Sequence, residues 1–131
     1  MSIKLISSVL AMVVLLFGGC ATSYTNIDKN SNNYRYLSDK NGMTLYTFDK
    51  DKPNVSNCYG ECEKKWPVFY GDVSALHRPG DVSEKDFGVI TRKNGALQTT
   101  YKKKPLYYFF KDTKPNEVKG NGKKGVWHIV K

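Results

Sequence analysis

Leu45-Tyr46-Thr47-Phe48-Asp49-Lys50-Asp51 and Leu106-Tyr107-Tyr108-Phe109-Phe110-Lys111-Asp112 share the pattern Leu-Tyr-x-Phe-x-x-Asp, offset by 61 positions. A Trp follows each Tyr at the same distance, 20 residues from Tyr46 to Trp66 and 20 from Tyr107 to Trp127, and these are the only two Trp residues in the chain. Self-similarity at a fixed spacing marks a duplicated structural module. The chain therefore reads as two diverged copies of one unit. In a strand, residues two apart share a face, so Tyr46 points with Phe48, and Tyr107 with Phe109. Each motif Asp falls past its strand, before Lys52-Pro53-Asn54 or Thr113-Lys114-Pro115-Asn116. There a carboxylate accepts backbone N–H groups and shapes a turn. The expectation is an aromatic core wedge of Tyr46, Phe48 and Trp66 with Tyr107, Phe109 and Trp127, the exits being fixed by Asp51 and Asp112. On this reading the motif is a folding signature and not a catalytic one.

Outward from the motif, the punctuation is that of an all-β protein. Strand-like runs at 34–38 and 43–48 flank Asp39-Lys40-Asn41-Gly42, and Asn-Gly between such runs is the strongest short-range hairpin signal. Runs at 87–92 and 96–101 repeat the scheme about Lys93-Asn94-Gly95. Lys102-Lys103-Lys104-Pro105 breaks the chain before 106–110, and 126–130 supplies a last strand. Helical spacing with caps is sustained nowhere in 34–131; 73–76 and 83–87 each form one turn of helix at most. The expected fold is a small single all-β domain of antiparallel hairpins, with repeat 1 at about 34–70 and repeat 2 at about 87–131.

The N-terminus indicates export. A short basic start with Lys4 leads into an apolar run at 5–17, which Gly18-Gly19-Cys20 closes. The run is too short to span a bilayer core of about 30 Å, and its layout is that of a secretory signal. With Cys at its exit, 1–19 resembles a bacterial lipoprotein signal peptide, although Phe17 stands where Leu is usual. Cys20 would then carry the lipid, palmitate among its acyl chains, and 20–33 would be a flexible Ser, Thr and Asn tether. Loss of the leader removes one charge, Lys4, and takes the net charge from +9 to +8. Three Cys are an odd number; with Cys20 acylated, Cys58 and Cys62 remain as a pair in an oxidising compartment, where a disulfide is the default. Closing so short a loop constrains the unfolded chain by only about 2 kcal/mol. Its work is local, holding the loop at 57–63.

The residues also resemble a known family, the bacterial predicted lipoproteins with a Tyr-x-(Phe/Trp/Tyr)-x-x-Asp motif, described as a secreted repeat of unknown function. The resemblance runs from Gly42 to Val130. It rests on the two motifs, on Cys58-x-Gly60-x-Cys62 leading to Trp66-Pro67, on Asn94-Gly95 before Thr100-Tyr101, on Pro105-Leu106-Tyr107-Tyr108-Phe109 and on Gly125-Val126-Trp127-His128. This chain departs from the pattern in Glu63-Lys64-Lys65 before Trp66 and in Lys102-Lys103-Lys104 before Pro105. The resemblance implies an exported, lipid-anchored repeat domain and brings no established activity.

Function is read from what differs between the copies: a Cys-closed loop before Trp66 and a glycine- and lysine-rich loop before Trp127. The first expectation is a non-enzymatic binding or interaction module of the cell envelope, held to the membrane by its N-terminal lipid. Basic clusters at Lys64-Lys65, Lys102-Lys103-Lys104 and Lys123-Lys124 would attract anionic lipid, cell-wall polymer or another envelope protein. The bland alternative is that these lysines solvate strand edges. Export removes nucleic acid as a partner. Ala21, in a place where Asp retains lipoproteins at an inner membrane, points to the outer membrane of a cell with two. The second reading is copper or redox chemistry, with Cys58 and Cys62 as soft ligands for Cu(I) and His128, His77 or Met43 as a third; otherwise no cofactor is expected. The third is an enzyme using Asp51, Asp112, Glu61 or His128 as acid or base. Ser56 and Ser74 lie in no nucleophile motif, and neither a phosphate loop nor a zinc signature is present. The expectation is therefore no enzymatic activity.

Overall fold

The motif segments of the two copies pair antiparallel through a single bridge, Tyr46 with Tyr107. The Tyr46 N–H donates to the Tyr107 carbonyl (2.8 Å), and the Tyr107 N–H donates to the Tyr46 carbonyl (3.0 Å). The computed structural model describes residues 34–131; the signal, Cys20 and the tether to residue 33 lie outside the described residues. The elements are β1 (Tyr46–Phe48), α1 (Glu61–Lys65), β2 (Phe87–Thr91), β3 (Leu97–Tyr101), β4 (Lys104–Pro105) and β5 (Trp127–Ile129). Single 3-10 turns occur at Val73–Ala75, Glu84–Asp86 and Lys123–Gly125. β1 pairs antiparallel with β5, placing Phe48 opposite Trp127. β2, β3 and β4 form a second antiparallel sheet in that order. The all-β, two-repeat reading holds.

The copies are interlocked. The Asp49 N–H donates to the Val126 carbonyl (2.8 Å), and its counterpart 61 positions on, the Phe110 N–H, donates to the Lys65 carbonyl (2.9 Å). The segment carrying each copy's Trp therefore runs beside the other copy's motif strand. A contact of i with j matched by its reciprocal is the geometry of a two-fold dimer interface, here within one chain. Strand alternation then sorts the core. Leu45 and Leu106 face one side, packed with Leu37, Phe69, Val82 and Val130. Tyr46 and Tyr107 face the other, packed with Trp66, Phe109, Trp127 and Cys58. Each buried large side chain contributes about 1.5–3 kcal/mol through burial. Neither copy holds a closed core of its own.

The strands expected at 34–38 and 106–110 are reduced to single bridges, Ser38 with Thr44 and His77, and Tyr107 with Tyr46 and Val68, because each run bridges its neighbours at one residue only. Two further local readings differ from the structure. The short helix α1 is unexpected; it begins after Gly60, whose φ of 60° turns the chain sharply, and carries acidic residues in its first turn and lysines in its last, matching the helix dipole. The second difference is at Lys102-Lys103-Lys104-Pro105, where the chain does not simply break. Tyr101 pairs with Lys104, so Lys102 (φ 47°) and Lys103 (φ 65°) form a two-residue hairpin with both φ positive, a type I′ turn. By the 61-residue offset these two residues match Asn41-Gly42. The Asn94-Gly95 turn, closed by the Arg92 N–H on the Ala96 carbonyl (2.8 Å), belongs instead to the extra β2–β3 hairpin. Lysine is a poor residue for either turn position. Lys102→Asn with Lys103→Gly is expected to stabilise the domain by about 1 kcal/mol. Urea unfolding checks this, and an unchanged or lower midpoint contradicts the turn assignment.

Candidate ligand-binding cleft

The motif Asp residues do two things at once. Asp51 accepts the Asn57 N–H (2.6 Å) on one oxygen and the Tyr107 hydroxyl (2.7 Å) on the other. Asp112 accepts the Lys119 N–H (2.9 Å) and the Tyr46 hydroxyl (2.5 Å) in the same way. Turn-fixing is as expected, but each Tyr is held by the Asp of the other copy. Both Tyr side chains are fully buried. Burial, reinforced by the neighbouring carboxylate, raises both phenols far above the ordinary tyrosine range. Burial also raises the Asp51 carboxyl, against the opposing effect of its two hydrogen bonds and of Arg92.

Over these pairs lies a four-ring stack that alternates between copies. Phe48 lies on Trp127 (4.1 Å between centroids, 7°), Trp127 on Trp66 (3.7 Å, 3°), and Trp66 on Phe109 (4.3 Å, 34°). Tyr46 and Tyr107 meet their own copy's Trp edge-on. Gly120 is required here, because a Cβ on it would sit 2.7 Å from Trp66 and 2.9 Å from Phe109.

The outer side of the stack opens into a cleft of about 420 Å³. One wall comes from α1 through Glu61, Cys62, Lys65 and Trp66, and the other from Lys123, Lys124, Val126 and Trp127. Phe48 with Lys50, and Phe109 with Lys111, complete it from the two motif segments, and Phe110 stands at the mouth, 48% exposed. The two unequal loops thus face each other across one site. Five lysines line it against one carboxylate, Glu61, which is engaged by Lys64 (2.8 Å). None of the five has a carboxylate partner among the described residues. Lys124 is held at the rim with a left-handed φ of 52°. Lys102, Lys103 and Lys104, by contrast, do not line the cleft.

The first loop is held rigid from within. Cys58 and Cys62 form a disulfide, with Cys58 buried and Cys62 on the cleft wall. Arg92, its side chain fully buried, donates to Ser56 Oγ (2.8 Å), Gln98 Oε1 (2.7 Å), the Cys58 carbonyl (2.7 Å) and Glu63 Oε1 (3.2 Å). It also lies over the Tyr59 ring at 4.3 Å. Ser56 in turn meets the Tyr107 hydroxyl (2.6 Å). A buried guanidinium needs this many acceptors to offset its desolvation. No motif or spacing in the sequence marks Arg92 for this role.

The remaining site candidates are scattered. His128 Nε2 lies 2.7 Å from Asp49 Oδ2 on the exposed side of β5, and His77 stacks on Tyr34 at 4.3 Å. Met43 follows the first turn, where its N–H donates to Asp39. Ser74 is tied to the Asp72 carboxylate. Among the described residues no group of three or more His, Cys, Asp or Glu is placed to hold a metal ion. Neither Asp51 nor Asp112 reaches the cleft. Lys50 and Lys111 were overlooked in the sequence, although both stand two residues after the motif Phe, a signal the 61-residue offset contained.

Fold and cleft define a class of protein: a β domain of two interlocked repeats, closed by one short disulfide loop. The chain belongs to the family described as a secreted repeat of unknown function, whose family model matches residues 35–70 and 88–131. No curated protein and no solved structure matches the chain.

Proposed function

We propose that this chain is a non-enzymatic binding module of the bacterial cell envelope, anchored through lipid on Cys20, which presents the lysine-rimmed cleft to an anionic envelope component. The observation that carries the reading is the convergence, on one concave, aromatic-lined site, of five lysines without carboxylate partners among the described residues. A cleft lined by one sign of charge focuses its field and gathers counter-ions of the other sign. The non-enzymatic part is supported by the placement of the motif carboxylates, each engaged by a buried Tyr and a backbone N–H away from the cleft.

Two measurements test it. Metabolic labelling with a palmitate analogue is expected to mark the wild type and not Cys20→Ser. For the cleft, the mature chain from Ala21 onward, lacking both leader and lipid, is co-sedimented with envelope fragments, so that membrane insertion does not mask binding. Lys65→Gln, Lys111→Gln, Lys123→Gln and Lys124→Gln together are expected to abolish most of the binding, as is raised salt. Neutralising Lys102, Lys103 and Lys104 is expected to change it little. The reverse ranking would move the binding surface to the β3–β4 turn and sink the cleft assignment.

A further inference from the structure

Resting on that reading of the cleft, we infer that its occupant is a single anionic amphiphile, a lipid molecule seated by its apolar chain with its acidic headgroup on the lysine rim, and not a bilayer surface. The lining carries the argument. A bare anion satisfies the lysines but leaves Phe110, 48% exposed at the mouth, and the partly exposed Phe48, Cys62 and Val126 in water. These apolar groups are contiguous with the ring stack, so a chain entering between the two loops covers them while its head stays among the ammonium groups. Two of the ammonium groups sit over ring faces, Lys111 Nζ 5.6 Å from the Phe110 ring centroid and Lys123 Nζ 5.9 Å from that of Phe109, so charge and apolar surface are offered together.

Shape separates one molecule from a membrane. A planar bilayer meets protruding residues, whereas these lysines converge on a concavity of about 420 Å³. That volume falls within the roughly 300–1,000 Å³ that seats one small ligand. The two walls are built differently. The Cys58–Cys62 disulfide and Arg92 fix one. The other is a turn between Gly122 and Gly125, both at positive φ, with Lys124 between them. This second wall is closed by its own backbone bonds, the Gly125 N–H to the Gly122 carbonyl (3.0 Å) and the Val126 N–H to the Lys123 carbonyl (3.1 Å), so the cleft between the two walls is preformed.

The experiment uses the mature chain from Ala21 onward, free of leader and lipid, with decyl phosphate below its micelle concentration, followed through the two Trp indole N–H signals. Both Trp line the cleft and are the only two in the chain, so a ligand seated there reaches both signals. Decyl phosphate is expected to shift both signals. Glycerol phosphate, which keeps the head and lacks the chain, and decyl phosphocholine, which keeps the chain and lacks the net charge, are each expected to bind at least about tenfold more weakly. The four-lysine glutamine variant, whose changes are at surface positions, is expected to lose the preference for decyl phosphate over decyl phosphocholine. Equal affinity for glycerol phosphate would make this an anion site without lipid character. Tighter binding of 2-naphthoate than of decyl phosphate would replace the chain by an aromatic body. No shift of either indole by any monomeric amphiphile, with envelope co-sedimentation intact, would overturn the inference and leave the cleft's anion binding standing.

Discussion

Trp127→Ala is expected to lower the unfolding free energy by about 3–5 kcal/mol, the range for truncating a buried aromatic side chain. A domain of this size has about 5–15 kcal/mol in total, so the variant is left marginal or unfolded. The size of the effect follows from position. Trp127 is 3% exposed, is sandwiched between Phe48 and Trp66, and receives the edge of Tyr107. No neighbour can collapse into the gap, because the Phe48, Trp66 and Tyr107 backbones are each held by strand pairing or by the disulfide loop. The interlock adds a sharper expectation. Trp66→Ala removes the reciprocal set, Trp127, Phe109 and the edge of Tyr46, and is expected to cost a similar amount although it lies in the other copy. Urea unfolding of both variants, with Val89→Ala at a 57% exposed position as control, measures this. A loss below about 1 kcal/mol for either Trp would show that the stack is peripheral to the fold.

How much of this was legible in the sequence depends on the kind of signal. The 61-residue offset identifies equivalent residues, and so the duplication, the aromatic core and the turn-fixing Asp residues were all readable. It does not identify partners. Tyr46 stands at the same offset from Tyr107 whether its hydroxyl bonds Asp51 or Asp112, and only the three-dimensional reciprocity assigns Asp112. The lysine turn escaped notice for a different reason: Lys102-Lys103 has none of the Asn-Gly chemistry that marks a type I′ turn, and strand register alone drives both residues to positive φ. Arg92 draws its acceptors from Ser56, Cys58, Glu63 and Gln98, at separations of 36, 34, 29 and 6 residues, which no periodic pattern records. The cleft was half legible. Asymmetry between the loops before Trp66 and Trp127 pointed to its walls, but the facing of those loops follows from the interlock, and with it the gathering of lysines that are dispersed along the chain.

Raising the pH is expected to unfold the domain in a single cooperative step that carries buried phenols with it. Tyr46, Tyr107 and Tyr108 are all held well above the ordinary tyrosine value, first by burial and then by hydrogen bonds to Asp112, Asp51 and Asp39. In each case the carboxylate accepts the phenolic proton's hydrogen bond and resists a second negative charge beside it. A folded-state value raised above the unfolded one means that the folded chain keeps a proton the unfolded chain releases. The stabilisation is therefore complete below about pH 10 and falls as the pH rises beyond it. Each retained proton weakens the fold by about 1.4 kcal/mol per pH unit above that point. Phenolate absorbance should thus leave at least three of the nine tyrosines silent until the circular dichroism changes, after which they titrate together. Tyr107→Phe separates the two roles of the hydroxyl. At pH 7 it is expected to destabilise by about 1–3 kcal/mol, since Asp51 and Ser56 lose a buried partner. Above pH 10 its stability should fall less steeply than that of the wild type, by the slope of one proton. Parallel curves for the two proteins would mean that Tyr107 ionises freely in the folded chain, and the cross-copy pairing with Asp51 could not then be what closes this core.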